Sequence, residues 1–202
     1  GGSGYHIHLS LSDPNTRKNL FDDPDGEHGI SELMRHFIGG QMAHAKGMSA
    51  LLAPTINSYK RYQPDSFAPY YLAWGLDNRT VYVRVPGERG KATRVENRSP
   101  CASANPYLVY AAAFAAGLDG IENKIEPGEH AVGDIYGAEP GTYETIQFFL
   151  HDALEDLKAD QVICDALGPE LIQAFVALKE HELNLWRKHV SDWEFNTYSA
   201  QL

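Results

Sequence analysis

The sequence predicts a mixed α+β fold, and three patterns carry that reading. "HIHLSL" near the N-terminus alternates strictly between polar and apolar residues, "RTVYVRV" and "KATRVENRS" are strand-like runs joined by the turn-forming "PGERG", and the last third repeats with the period of amphipathic helices. At 202 residues the chain is long enough for one sizeable core and is read as one domain, or one large part of one. Hydrophobic residues at 43% and charged residues at 22% exclude a disordered or fibrous polymer.

In "HIHLSL" the alternation puts His6, His8 and Ser10 on one strand face and Ile7, Leu9 and Leu11 on the other, so the strand is half-buried. The next stretch, "SDPNTRKNLFDDPDGEHG", is rich in Pro, Asp, Asn and Gly and reads as a surface loop. From the N-cap Ser31, Leu33, Phe37, Met42 and Met48 recur at roughly helical spacing, giving one long helix or two short ones weakened by Gly39-Gly40 and closed off by Pro54. "NSYKRYQPDSFAPYYLAWGLDNR" mixes aromatics with two prolines and reads as an ordered loop feeding a strand. "RTVYVRV" and "KATRVENRS" then form an antiparallel pair. "NPYLVYAAAFAAGLDGIENKI" is apolar nearly all round, the mark of a buried helix with Pro106 in its first turn and Gly120 near its end. The remainder is two or three amphipathic helices broken at Gly168-Pro169.

A formal net charge of −10 argues against a nucleic-acid or acidic-membrane surface, since such partners are held by basic groups, although a local basic cluster can still hold a phosphate. Cys101 and Cys164 stand far apart outside any CxxC pattern, which disfavours disulfides and thiolate zinc and fits a reducing compartment. No apolar run approaches the roughly 20 residues that span a bilayer, and no leader is visible, so the expected location is cytoplasmic. The chain begins without methionine and enters a strand at once, which suggests a natural start further upstream.

Two histidines beside a "GGSG" run admit two readings: a linker-like tail, or the edge of a metal site whose small residues let a ligand approach the backbone. In "RVENRSP", Arg94, Glu96 and Arg98 share one strand face while the other carries Val95, Asn97 and Ser99, with a single apolar member. A solvated charge ladder is the bland explanation, but a charged face turned outward would leave little to build a core. The alternative is a polar cavity in which Glu96 is an oxygen ligand for a hard cation and the arginines face anions. Arg61, Arg79 and Arg84 add further forks suited to carboxylate and phosphate oxygens. Arg79 and Arg84 have opposite strand parity, so Arg79 belongs at the strand entrance or one of the two serves elsewhere.

Taken in order, "GSGYHIHLSL", "NSYKRYQPDSFAPYYLAWGLDNRTVYVRV", "KATRVENRSP" and "SANPYLVYAAAFAAGLDGI" resemble the signature blocks of the glutamine synthetase family. The similarity runs over about residues 2–126 and continues weakly beyond. It implies antiparallel strands of that family's catalytic sheet packed with helices. Residues 1–126 would carry active-site strands, loops and a buried helix, and 127–202 a C-terminal helical region. It implies an ATP-dependent ligase joining the γ-carboxylate of glutamate to an amine through γ-glutamyl phosphate, with Mg2+ or Mn2+ as cofactor. By resemblance, His6 and Glu96 hold one cation; His8, Ser10, Arg79, Arg84 and Lys91 lie beside ATP; and Gly2, Arg61, Arg79 and Arg98 bind glutamate, Arg79 and Arg61 being the catalytic positions. The opening is then a site from Gly2 onward, with Gly1 standing where the family has asparagine.

Two departures from the family pattern stand out. Phe67 occupies the place of a glutamate that helps deprotonate ammonium, which points to a larger organic amine packed on the ring, as in the γ-glutamylpolyamine and γ-glutamylputrescine synthetases. Cys101 replaces an aspartate and is read as a local packing adjustment. Tyr136 falls near a tyrosine that some bacterial members adenylylate, in different surroundings. The resemblance also implies an N-terminal β-grasp domain absent from these residues, double rings of twelve subunits for the whole protein, and an inactive isolated chain. The alternatives are glutamine synthetase proper using ammonia, a catalytically dead structural relative, and a small metal-binding or phosphate-sensing module.

Overall fold

The computed structural model describes residues 2–63, 66 and 68–201. Four short strands, β1 (Ile7–Leu9), β2 (Trp74–Leu76), β3 (Val83–Val85) and β4 (Val95–Asn97), form one sheet in the order β1-β4-β3-β2. β4 runs antiparallel to β1, opposing Glu96 to His8, and antiparallel to β3, opposing Glu96 to Arg84. The antiparallel pair flanking "PGERG" is therefore present. β2 departs from an all-antiparallel sheet: it pairs parallel to β3, with Asp77 at φ 45° and its N–H bonded to the Val85 carbonyl at 2.8 Å.

The helices are α1 (Glu32–Ala43), α2 (Ala45–Leu52), α3 (Ile56–Tyr59), α4 (Pro106–Glu122), α5 (Leu150–Ala159), α6 (Gln161–Leu167), α7 (Pro169–Lys188) and α8 (Asp192–Tyr198). Ile7, Leu9, Val83, Val85 and Val95 from the sheet join Met34, Phe37 and Ile38 of α1 and Val109 of α4 in one buried cluster. Ser31 caps α1 by accepting the Met34 N–H, and Asn105 caps α4 with Pro106 at its first position.

The long helical stretch divides at His44, and Gly39-Gly40 lie inside α1 instead of breaking it. Their function is contact. A Cβ on Gly40 would run into the Ala116 carbonyl of α4, and one on Gly120 into the His36 carbonyl of α1, so the two backbones touch where each lacks a side chain. The apolar circumference of α4 is only partly buried: Val109, Ala112, Ala113, Ala116, Gly117 and Gly120 face inward, whereas Tyr107 is 84% exposed and Leu118 45%. Gly168 divides α6 from α7, as its sequence signal indicates.

His44 ties the helices together. Its Nδ1 lies 2.8 Å from Asp160 Oδ2, at the junction of α5 and α6, and its Nε2 lies 3.0 Å from Asp119 Oδ2 on α4. Asp160 uses its other oxygen to cap α6 at Ile163 N–H. The hydrogen bond that His44 donates to Asp160, joined by the one to Asp119, outweighs partial burial and raises the His44 pKa.

Candidate active site

β4 carries the centre of the site because its two faces alternate. Glu96 and Arg98 project to the front, and Val95, Asn97 and Ser99 are buried behind them, so the weakly apolar back face is a genuine interior surface. Glu96 is 3% exposed. Its Oε1 lies 3.1 Å from His6 Nδ1 and accepts from Arg98 Nη1 at 2.9 Å, while Oε2 accepts from Arg84 Nη1 at 2.6 Å. Burial pushes this carboxyl up, but the His6 hydrogen bond, the Arg84 hydrogen bond and the Arg98 charge together bring it down to about 2. The group is a permanent anion at neutral pH. Burial in turn lowers the Arg98 pKa, against the pull of Glu96.

Strand pairing explains the convergence. Glu96 stands directly across from Arg84 in the antiparallel register, and His6 enters from the residue before β1. Arg84 is also held by Asp77, through Nε at 3.2 Å and Nη2 at 2.5 Å. Asp77, Arg79, Arg84, Gly87 and Glu88 line an open cavity of about 500 Å³. Arg79 lies exposed in the turn ahead of β3, which resolves its parity conflict with Arg84.

His8 is exposed on the front of β1 and accepts from Arg94 Nε at 3.2 Å; burial lowers its pKa, Glu96 opposes that, and Arg94 and Arg84 add to it. Ser10 is exposed just past β1, and Lys91 is exposed in the short 3-10 turn Gly90–Ala92. Arg61 is 5% exposed and pinned to backbone: Nη1 donates to the Ser99 and Pro100 carbonyls at 2.6 and 3.2 Å, and Nη2 to the Arg98 carbonyl at 3.0 Å. Much of its donor capacity is spent orienting the chain that leaves β4. Gly2 lies alongside the Arg61 side chain, where a Cβ would come within 2.9 Å of Arg61 Cβ. Tyr136 is half-buried, and the Arg98 and Arg61 charges act on its phenol, so its loop reaches the arginine floor; burial, the larger influence, raises its pKa. Phe67, the amine-pocket candidate, lies outside the described residues. Cys101 is buried and accepts from Ser103 Oγ at 3.3 Å, consistent with a packing role.

Asp77 and Gly4 were not legible as site residues. A Cβ on Gly4 would come within 2.9 Å of Arg61 Nη2 and 3.2 Å of His6 Nε2, so this glycine keeps open the space between the two. The small-residue run around it was the available signal, whereas nothing in "LDNR" distinguishes Asp77 from an ordinary turn residue.

The donor chemistry fits a hard divalent cation: an imidazole nitrogen and an ionised carboxylate oxygen 3.1 Å apart are within reach of one ion. No cluster of three or more metal-ligating side chains occurs among the described residues, so these two leave most positions to water or to other donors.

Fold and site together describe a protein that keeps a buried carboxylate ionised beneath a surplus of guanidinium groups, an arrangement suited to a cation and a phosphate-bearing ligand. The chain belongs to the glutamine synthetase family: residues 1–198 match "Glutamine synthetase, catalytic domain". It is 45% identical over 202 residues to a glutamine synthetase of Thermotoga maritima, covering 98% of this chain and 46% of that protein. With a glutamine synthetase of Halobacterium salinarum it shares 42% identity, covering 98% and 44%. Among solved structures it resembles apo GmaS without ligand, with a TM-score of 0.88, 39% identity and coverage of 97% and 44%. A GmaS/ADP complex matches with a TM-score of 0.89, 38% identity and coverage of 97% and 46%. The chain thus spans less than half the length of the relatives it matches. No single described helix is long and apolar enough to cross a membrane.

Proposed function

We propose that this chain supplies part of the active site of an ATP-dependent ligase that joins the γ-carboxylate of glutamate to an amine. The observation that carries the reading is the convergence of His6, Arg84 and Arg98 on the buried Glu96 carboxylate. In the first step a γ-carboxylate oxygen of glutamate attacks the γ-phosphorus of ATP, and ADP leaves. In the second, the amine nitrogen attacks the acyl carbon, phosphate departs, and a proton is lost from nitrogen.

Arg79 and Arg84, beside the open cavity, meet the charge of the phosphates during transfer; His8, Ser10 and Lys91 lie along the nucleotide. Arg98 and Gly2 receive glutamate, and Arg61 holds the backbone that presents Arg98 while offering its remaining donors to the substrate. A divalent cation, Mg2+ or Mn2+, held by His6 and Glu96, supplies Lewis-acid polarisation of phosphate oxygens when bound. With one imidazole and one carboxylate contributed, the 202-residue chain by itself gives no turnover. The whole protein is a cytoplasmic homo-oligomer built as a double ring of subunits.

For the amine, Phe67 favours an organic substrate over ammonia, because a ring cannot take the proton that the family's glutamate takes but can pack on a carbon chain. Ammonia is the second reading, favoured by the name glutamine synthetase on relatives as similar as 45%. Competition among ammonia, putrescine, spermidine, ethanolamine and aromatic amines, with the full-length enzyme, separates them. An organic amine is expected to have the highest kcat/KM. Preference for ammonia overturns the amine reading alone, and absence of ATP- and glutamate-dependent turnover with any amine overturns the ligase.

A further inference from the structure

Behind the site, β4 carries a polar group that the proposed chemistry does not use. Asn97 is 0% exposed at the centre of the sheet, paired with Ile7 on one side and Val83 on the other. Its Nδ2 donates to Gln41 Oε1 of α1 at 3.0 Å, and its Oδ1 accepts from the Ser99 N–H at 3.1 Å. Gln41, also 0% exposed, donates its Nε2 to the Ala113 carbonyl of α4. A continuous path of hydrogen bonds therefore runs from α4 through α1 to β4, ending one residue from Glu96 and from Arg98. It continues at Ser99, whose carbonyl accepts from both Arg61 Nη1 and Tyr62 Oη.

Two buried amides among Val, Ile and Phe side chains are a costly way to fill space, because each must be desolvated and then fully bonded. Apolar packing is non-directional and tolerates small slides of a strand, whereas an amide pair holds one position. On a strand whose neighbours alternate between site and core, a slide of one residue would exchange the faces and carry Glu96 away from His6 and Arg84. We propose that Gln41 and Asn97 are positioning residues for the catalytic face of β4: they fix the strand from behind so that Glu96 and Arg98 stand where the cation and glutamate bind. This rests on the ligase reading of the same site.

The test uses the full-length enzyme and Mn2+ binding followed by electron paramagnetic resonance, in wild type, Gln41→Met, the double variant Gln41→Met/Asn97→Val, and Glu96→Gln. Gln41→Met is expected to weaken Mn2+ binding about tenfold or more, the effect usual for groups that orient metal ligands. The double variant, which removes both amides, is expected to recover thermal stability without recovering Mn2+ affinity. Mn2+ affinity within twofold of wild type in Gln41→Met, or affinity and stability recovered together in the double variant, would overturn the inference. So would a double variant that fails to fold, since the pair would then be ordinary core structure. Glu96→Gln separates the two levels. If it weakens Mn2+ binding while Gln41→Met does not, only the positioning role falls; if neither does, the cation reading falls first.

Discussion

Glu96 and His44 are both largely buried ionic groups held by partners of opposite charge, yet one centre is open and the other closed. Around Glu96, the guanidinium groups of Arg84 and Arg98 and the imidazole of His6 meet one carboxylate, Arg61 holds the Arg98 carbonyl, and Arg79 lines the cavity beside Arg84. Around His44, one imidazole meets two carboxylates and both ring nitrogens are spent. The front of β4 sets two guanidinium groups and an imidazole against a single carboxylate, beside an open cavity that Arg79 and Arg84 line together with Asp77 and Glu88. The helical junction is self-contained and binds only itself. Burial of charge does not by itself mark a functional site; an imbalance that the fold leaves for a ligand does.

The largest effect that sharpens this comparison comes from Glu96. Glu96→Ala leaves the buried Arg98 guanidinium without its carboxylate and Arg84 with Asp77 alone, and the expected loss of stability is about 3–5 kcal/mol. Denaturant unfolding of the full-length protein measures it. A loss below that of His44→Ala would reverse the ranking of the two centres. His44→Ala removes the cation between Asp119 and Asp160 and is expected to cost about 1–3 kcal/mol by the same measurement.

The two centres also separate by pH, with opposite signs. Glu96 has a folded pKa depressed to about 2, so its contribution is present above the ordinary value of 4.5 and is lost as pH falls toward 2. His44 has a folded pKa raised above its ordinary 6.5, so its contribution is complete below 6.5 and is lost as pH rises through the raised value. Unfolding midpoints from pH 2 to 9 should show an alkaline decline that His44→Gln abolishes while the acid limb stays unchanged. An alkaline limb untouched by this substitution contradicts the doubly bonded imidazolium.

Much of the site was legible because it lies on strands, where a period of two assigns faces from the letters alone. The convergence of His6 and Arg98 on Glu96 follows from "YHIHL" and "RVENRS", and the scarcity of apolar residues opposite Glu96 goes with a charged face that is buried, not a solvated ladder. The back of β4 was not legible. Asn97 and Ser99 read as poor core residues because their partners, Gln41 and Tyr62, lie on other elements. Gly39-Gly40 read as helix-weakening for a similar reason: propensity is local, whereas their value is the close approach of α4. The division at His44 carries no breaker at all. It is held by Asp119 and Asp160, distant in sequence, and only the folded chain brings them together.

The central claim is that His6 and Glu96 share one divalent cation beneath the arginines. Crystals of the full-length enzyme soaked in Mn2+ test it by anomalous scattering. The expected result is a peak within about 2.0–2.6 Å of both His6 Nδ1 and a Glu96 carboxylate oxygen, with Arg84 and Arg98 beside it. A difference map with Mn2+ bound only at sites remote from both side chains would contradict it.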